Sequence, residues 1–454
     1  MNAVPIGRAL AILADERPDA VAVRHGDVVV TRDELEADTN RLARSWSDRV
    51  GQDDLVTIAL PNGLDFLRAC LATWKLGPTP QPLSPVLGSE ERAVVIDLAR
   101  PALVVDSPIG DVRGDPSPLP ARVASSWKAP TSSGSTGRPK LVMASAPATV
   151  DPHGSVAPFV PREAVQLVAG PLFHAAPFVY ALRGLMTGHE LVLMSRFDPA
   201  EWLRLVDAHH VTWGMVVPTM MHRIHRLEPS ADLPTLESVL HLGARCAPWL
   251  KRAWIEWLGP DRVVEVYAGT ESQGLASITG TEWLEHPGSV GRACAGSEFR
   301  VVRPDGTDCD PGESGEILMR RDHPTYAYVG ADPVVRDGWH TLGDSGHLDA
   351  DGYLHVGDRL DDVIVTGGIK VQPADVEAVL DAHPAVRGSV VVPASDDERG
   401  QVVHAVVETE ATVDALESWV RERLDPEKRP RSWRIVSDPL RGDTGKVRRK
   451  DWLA

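Results

Sequence analysis

Cysteine is scarce in this chain of 454 residues: Cys70, Cys246, Cys294 and Cys309 are the four present, and they include no C-x-x-C pair. Their spacing offers no disulfide framework, argues against a structural zinc site and fits a reducing compartment. Long apolar runs are also missing. The longest near the start, residues 9–13, is too short and too soon followed by Asp15 and Glu16 to be a secretory signal. The expectation is a cytoplasmic protein with no membrane span. Positive charge is in deficit, with 47 Lys and Arg against 64 Asp and Glu, a net charge of -17. Such a balance argues against general affinity for nucleic acid or an anionic membrane, so any phosphate-bearing ligand has to be captured locally.

What is present suits a layered α/β protein with more than one domain, because 43% hydrophobic content over this length exceeds what one core supports. Strand-like segments at 21–23, 28–30 and 55–60 alternate with helical patterns at 33–45 and 63–76. The alternation continues through apolar segments at 165–168, 190–194, 211–217 and 263–266, each running into a loop rich in small residues. On an open α/β sheet such loops hold the ligand-binding groups. From about residue 288 the texture changes to Gly- and Asp-rich turns between short strands. The expected boundary lies near residue 360, dividing a large α/β domain at 1–360 from a small α+β domain at 361–454. In the latter, residues 373–380 and 413–424 read as helices and 388–392 and 402–407 as strands.

The stretch TSSGSTGRPK is the strongest chemical signal. Thr131, Ser132, Ser133, Ser135 and Thr136 offer hydroxyls, Gly134 and Gly137 free the backbone to turn its N–H groups on one anion, and Lys140 adds a charge. A Walker loop is excluded, since Arg138 and Pro139 stand where the Lys-Ser/Thr pair is required. A Ser/Gly linker is the competing reading. Further on, Tyr267, Gly269, Thr270 and Glu271 bring a ring, a hydroxyl and a carboxylate suited to Mg²⁺ into one loop, although Thr-Glu is also an ordinary helix cap. Asp344 could take both hydroxyls of a ribose, and Arg359 offers a planar fork, whose commoner use is a surface ion pair. Lys446, in GDTGKVRRK, is either part of a solvated basic tail or a mobile cation. His222 and His225 lie three apart without a third ligand, which argues against a metal.

Taken in order, TSSGSTGRPK, PLFHAAPF, YAGTE, GESGEI, HTLGDSG, GDRLDDVIVTGG and TGK resemble the motif series of the adenylate-forming superfamily, which includes acyl- and aryl-CoA synthetases, peptide-synthetase adenylation domains and beetle luciferase. The resemblance covers nearly the whole chain. It implies ATP, Mg²⁺ and coenzyme A as the small molecules used, with a small C-terminal domain moving about a hinge at Asp361. Thr131 to Lys140 would hold the β- and γ-phosphates, Tyr267 would stack on adenine and Thr270 would reach the α-phosphate. Glu271 would position Mg²⁺, Asp344 and Arg359 would hold the ribose, and Gly243 and Ala244 would line the adenine and acyl sites. Lys446 would be the catalytic cation, and Thr366, Gly367 and Gly368 would line a pantetheine tunnel. The sequence departs from the family pattern at Leu141 and Ala268, neither of which removes a charge.

The substrate implied is a carboxylic acid, joined to AMP and then to a thiol. No aspartate opens PLFHAAPF to pair with an ammonium group, so an α-amino acid is disfavoured. A pocket is expected from His174, Ala175, Phe178, Met215, Val216, Met220 and Gly269, with Ala176, Val179 and Met221 beside them. Its small and apolar side chains suit an uncharged acid of some width, bulky or cyclic. A chain that ends at Ala454 without a carrier domain suits free coenzyme A, with a separate acyl carrier protein as the rival acceptor.

Overall fold

The computed structural model describes residues 3–132, 139–396, 398–441 and 449–453. Its centre is a nine-stranded sheet built from β1 (Val21–His25), β2 (Val28–Thr31), β3 (Val165–Val168), β4 (Glu190–Leu193), β5 (Trp213–Val216), β6 (Ser238–Leu242), β7 (Val263–Ala268), β8 (Leu275–Thr279) and β9 (Arg292–Ala293). Across the sheet they lie in the order β9-β8-β7-β6-β5-β3-β4-β1-β2. The pairs from β1 through β4, β3, β5 and β6 to β7 are parallel, and the edges turn antiparallel.

Helices carry the parallel connections: Ala175–Met186 between β3 and β4, Pro199–Ala208 between β4 and β5, Pro218–His225 between β5 and β6, and Pro248–Leu258 between β6 and β7. The chain leaves β3 for β4 on one side and then crosses to β5 on the other. The order therefore reverses between β3 and β5, which opens a crevice at their carboxyl ends. A small cavity there is lined by Val168, Gly170, Pro177, Tyr180 and Met215. Side chains alternate across each strand, so Met215 and Val216 face opposite layers. Met215 packs with Trp213 and Leu240, whereas Val216 joins the other core beside Met220 and Met221.

The N-terminal helices pack on this layer through Ala9, Leu10, Leu35, Phe66 and Trp74. Helix Arg32–Trp46 starts at a capping box, in which Thr31 Oγ1 accepts from the Glu34 amide and the Glu34 carboxylate accepts from the Thr31 amide. A further sheet, containing Glu298–Val302, Gly315–Arg320, Trp339–Leu348 and Leu354–Arg359, corresponds to the Gly- and Asp-rich region.

After Arg359 a single turn, Leu360–Asp362, leads to the C-terminal sheet of Ile364–Thr366, Ile369–Val371, Val386–Asp396, Gly400–Thr409 and Ser432–Val436. Helices Pro373–Asp381 and Val413–Arg421 cover it, closing a separate core around Val376, Leu380, Val391, Ala405 and Leu416. The molecule is thus a large N-terminal α/β domain with a smaller C-terminal one. Gly367 and Gly368 turn the first hairpin of the small domain with φ of 55° and 84°, the two left-handed residues that a tight hairpin needs. The small domain meets the large one where Arg245 pairs with Asp375 at 3.0 Å and Arg226 donates to the Val386 carbonyl at 2.9 Å. Arg449 bonds Glu377 and lies 3.6 Å from Asp358 and 3.7 Å from Asp362.

Candidate active site

The residues of YAGTE sit at the carboxyl end of β7, the edge at which β3, β5 and β6 also end. Strand Trp339–Leu348 runs against this loop so closely that a Cβ on Gly269 would stand 2.4 Å from Leu342 Cδ1 and 2.8 Å from Glu271 Oε2. A Cβ there would have to displace the ends of both side chains, and the same close approach brings Asp344 to the loop. Tyr267 Oη donates to Asp344 Oδ2 at 2.6 Å, and Arg359 Nε stands 3.6 Å from Asp344 Oδ1. Burial, reinforced by Asp344, pushes the Tyr267 phenol well above its usual pKa and keeps it a donor. The sequence offered Asp344 to ribose hydroxyls; in this structure its two oxygens face two other residues of the same expected site.

Glu271 is the second focus. Its side chain is 6% exposed, and Oε1 accepts from Tyr328 Oη at 2.5 Å with Lys140 Nζ at 3.7 Å. Lys140 Nζ also lies 3.6 Å from the centroid of the Tyr328 ring. Antiparallel pairing of Tyr326–Val329 with Lys140–Ala144 sets this up, since it places Tyr328 opposite Val142. Burial lowers the Lys140 pKa, and Glu271 opposes that shift. Thr270 is fixed through its backbone, whose carbonyl accepts from Lys128 Nζ at 3.2 Å.

Thr131 and Ser132 form a short strand beside Lys140 and Leu141, and Thr131 Oγ1 accepts from Gln81 Nε2 at 2.9 Å. Ser133, Gly134, Ser135, Thr136 and Gly137 lie outside the described residues, as does Lys446. Gly243 and Ala244 are exposed just beyond β6, where Gly243 takes a φ of 89°. His174 precedes helix Ala175–Met186, its ring 4.5 Å from that of Phe173. Met215 does line the crevice. Phe178 does not: it is fully buried, with its ring among those of Phe66, Trp74 and Trp127. Val216 and Met220 likewise pack on the opposite face of the sheet. These are corrections to the expected pocket, and strand alternation together with helix phase explains them. Thr366 is 2% exposed, Gly367 and Gly368 form the hairpin tip, and Asp361 lies in the exposed turn between the domains. His222 and His225 flank the Trp249 ring rather than a third ligand, and burial lowers His222 to about 4, leaving it neutral.

Two residues beside the site were missed. Tyr328 is announced only by the alternation of Tyr326 and Tyr328. Lys128 carries no motif, and its contact with the Thr270 carbonyl joins segments 142 positions apart.

Comparison with known proteins agrees with this architecture. Residues 11–126 and 129–329 match the AMP-binding enzyme family, and residues 375–446 match the AMP-binding enzyme C-terminal domain. The feruloyl-CoA synthase of an Amycolatopsis species is 31% identical over 95% of this chain and 94% of its own length. The o-succinylbenzoate CoA synthetase of Bacillus subtilis, in complex with its acyl-adenylate intermediate OSB-AMP, superposes with a TM-score of 0.84 at 25% identity, covering 100% of this chain and 98% of that one. The amide bond synthetase McbA from Marinactinospora thermotolerans gives a TM-score of 0.82 at 25% identity over 99% of both chains. The chain belongs to the AMP-binding enzyme family, in its acyl- and aryl-CoA synthetase branch. It is an enzyme, an AMP-forming acid–thiol ligase. Among the described residues no helix is long and apolar enough to cross a membrane.

Proposed function

We propose that the protein activates an apolar, ring-bearing or otherwise bulky carboxylic acid as its acyl-adenylate and transfers the acyl group to coenzyme A. The observation that carries this reading is the convergence of Tyr267, Asp344, Arg359, Glu271 and Lys140 on one sheet edge, beside a crevice that contains Met215, Pro177 and Tyr180. Nucleotide and acid would meet there with their reactive ends adjacent. Residues 131–140 hold the departing pyrophosphate, Tyr267 and the loop at Gly243 and Ala244 frame the adenine, and Asp344 and Arg359 take the ribose. The breadth of the acid is supported by the small residues Ala169 and Gly170 that line the crevice.

Both partners in the first step are anions. The carboxylate oxygen attacks the α-phosphorus, the bond to pyrophosphate breaks, and cations must offset the repulsion. Lys446 serves there together with Lys140. No general base is needed, because the carboxylic acid is ionised near neutral pH. The residues present fit Mg²⁺: Glu271 is a single, nearly buried carboxylate whose Oε2 borders the Gly269 backbone, and one carboxylate plus phosphate oxygens is the usual Mg²⁺ environment. Bound there, the ion would neutralise phosphate charge. In the second step a thiol attacks the acyl carbonyl and AMP leaves. The small domain, residues 361–454, turns about Asp361 between the steps and brings the hairpin of Thr366, Gly367 and Gly368 to the site.

Pyrophosphate release across a panel of aryl, cyclic and medium-chain fatty acids, with and without coenzyme A, tests this reading. The expected result is acid-dependent release and a CoA thioester. Release that never depends on the acid would refute it. An acyl-adenylate that persists in the presence of CoA and is discharged only by a carrier protein or an amine would move the acceptor away from CoA.

A further inference from the structure

A second group of ligating side chains gathers outside the nucleotide site, where strands Trp339–Leu348 and Leu354–Arg359 are joined by a tight turn. In that turn Asp349 Oδ1 accepts from the amides of Asp351 and Tyr353 at 3.0 and 2.8 Å, which fixes the carboxylate and leaves Oδ2 to other partners. His286 Nδ1 stands 3.1 Å from Oδ2, and His355 Nε2 stands 3.5 Å from it. The carboxylate of exposed Asp351 completes a set with His286 and Asp349, whose three ligand atoms all lie within 4.8 Å of one another.

Both histidine rings are held in place by their neighbours. His286 ends helix Gly280–Glu285, with its amide bonded to the Glu282 carbonyl at 3.0 Å, and its ring stacks on Tyr353 with centroids 3.7 Å apart. His355 lies opposite His347 in the strand pairing, and these two rings are nearly parallel at 4.5 Å. The nearest arginine, Arg292, bonds the Asp351 carbonyl at 2.7 Å rather than its carboxylate, and packs over the Tyr353 ring.

One imidazole and two carboxylates suit a borderline divalent ion such as Zn²⁺, which takes nitrogen and oxygen ligands at about 2.0–2.2 Å and can leave a fourth position to water. Ligand atoms around a tetrahedral ion of that size lie roughly 3.3 Å apart. His286 Nδ1 and Asp349 Oδ2, at 3.1 Å, are already spaced as such a pair. The ion would replace the proton between them, and the exposed Asp351 side chain is free to swing onto the third position.

We propose that His286, Asp349 and Asp351 form a Zn²⁺ site separate from the nucleotide site, with His355 as the hydrogen-bond partner that orients the ligating carboxylate of Asp349. Asp344 and Arg359 are paired further along the same two strands, so the ion braces the hairpin that carries them. The proposal stands independently of the ligase reading.

Untagged protein stripped of metal is titrated with Zn²⁺ in the absence of nucleotide, by calorimetry and by thermal unfolding. One ion per chain is expected, with Tm raised by roughly 3 to 8 °C at saturation. His286→Ala should remove both the binding and the shift, whereas His355→Ala should retain the ion with an affinity lowered roughly tenfold to a hundredfold. If His286→Ala does not fold, Asp351→Asn, at an exposed position, provides the same comparison. Glu271→Gln should bind Zn²⁺ as the wild type does, which separates this ion from one at the nucleotide site. A wild-type protein that binds no Zn²⁺, binding that survives in both His286→Ala and Asp351→Asn, or binding that Glu271→Gln abolishes overturns the proposal.

Discussion

Glu271 shows at the level of a single side chain how the site is held ready. Its carboxylate is nearly buried, yet a hydroxyl and an ammonium group compensate it, both positioned by the pairing of two strands. Removing the hydroxyl should therefore disturb the ion that Glu271 is proposed to position more than the acid. Tyr328→Phe is expected to raise the Mg²⁺ concentration for half-maximal velocity by roughly threefold to tenfold, the worth of one hydrogen bond to a charged group, with little change in KM for the acid. An Mg²⁺ titration reads this directly, and an unchanged requirement would remove Tyr328 from the account. Glu271, Asp344 and Lys140 were legible in the sequence because each lies in a short motif whose chemistry is self-contained. Tyr328 and Lys128 were not, because what makes them relevant is a neighbour across a strand or across more than 140 positions of chain.

Among the elements, hydrophobic alternation located the strands of the central sheet well, and helix Arg32–Trp46 begins where Thr31 and Glu34 can cap each other. Alternation also separates two residues expected in one pocket, since Met215 and Val216 are adjacent in sequence and belong to different layers. The segment read as a strand at 388–392 is part of an eleven-residue strand, Val386–Asp396, because pairing with Gly400–Thr409 carries the ladder through Pro393 and the polar Ser395 and Asp396. Helix Pro373–Asp381 ends on Asp381, whose carboxylate accepts from Ser389 Oγ at 2.6 Å. Burial raises it from 3.8 to about 7, opposed by Arg441 and Ser389. The folded protein then holds this proton where the unfolded chain has released it, so the contribution to stability is largest below about pH 4 and declines as pH rises toward 7. Asp381→Asn should flatten that decline and stabilise the C-terminal domain at neutral pH by roughly 1 to 3 kcal/mol. Thermal unfolding at pH 5 and pH 8 checks it, and a variant less stable than the parent at pH 8 would contradict the assignment.

In the whole molecule, the motif order in the sequence already described a large domain and a small one. The contacts between them were not visible, because they join side chains with no sequence signature. Arg245, beside the loop of Gly243 and Ala244, pairs with Asp375 of the small domain, while Arg449 ties Glu377 to Asp358 and Asp362 around the connecting turn. These contacts join the small domain to the end of the sheet at which Gly243 and Ala244 lie. The central claim, that one site joins a carboxylate to the α-phosphorus and then gives the acyl group to a thiol, can be followed by the fate of an oxygen atom. An acid labelled with heavy oxygen in its carboxylate is turned over with ATP, Mg²⁺ and coenzyme A, and the products are weighed by mass spectrometry. One labelled oxygen is expected in AMP for each thioester formed, with unlabelled pyrophosphate. Label in inorganic phosphate, with ADP as the nucleotide product, would contradict it.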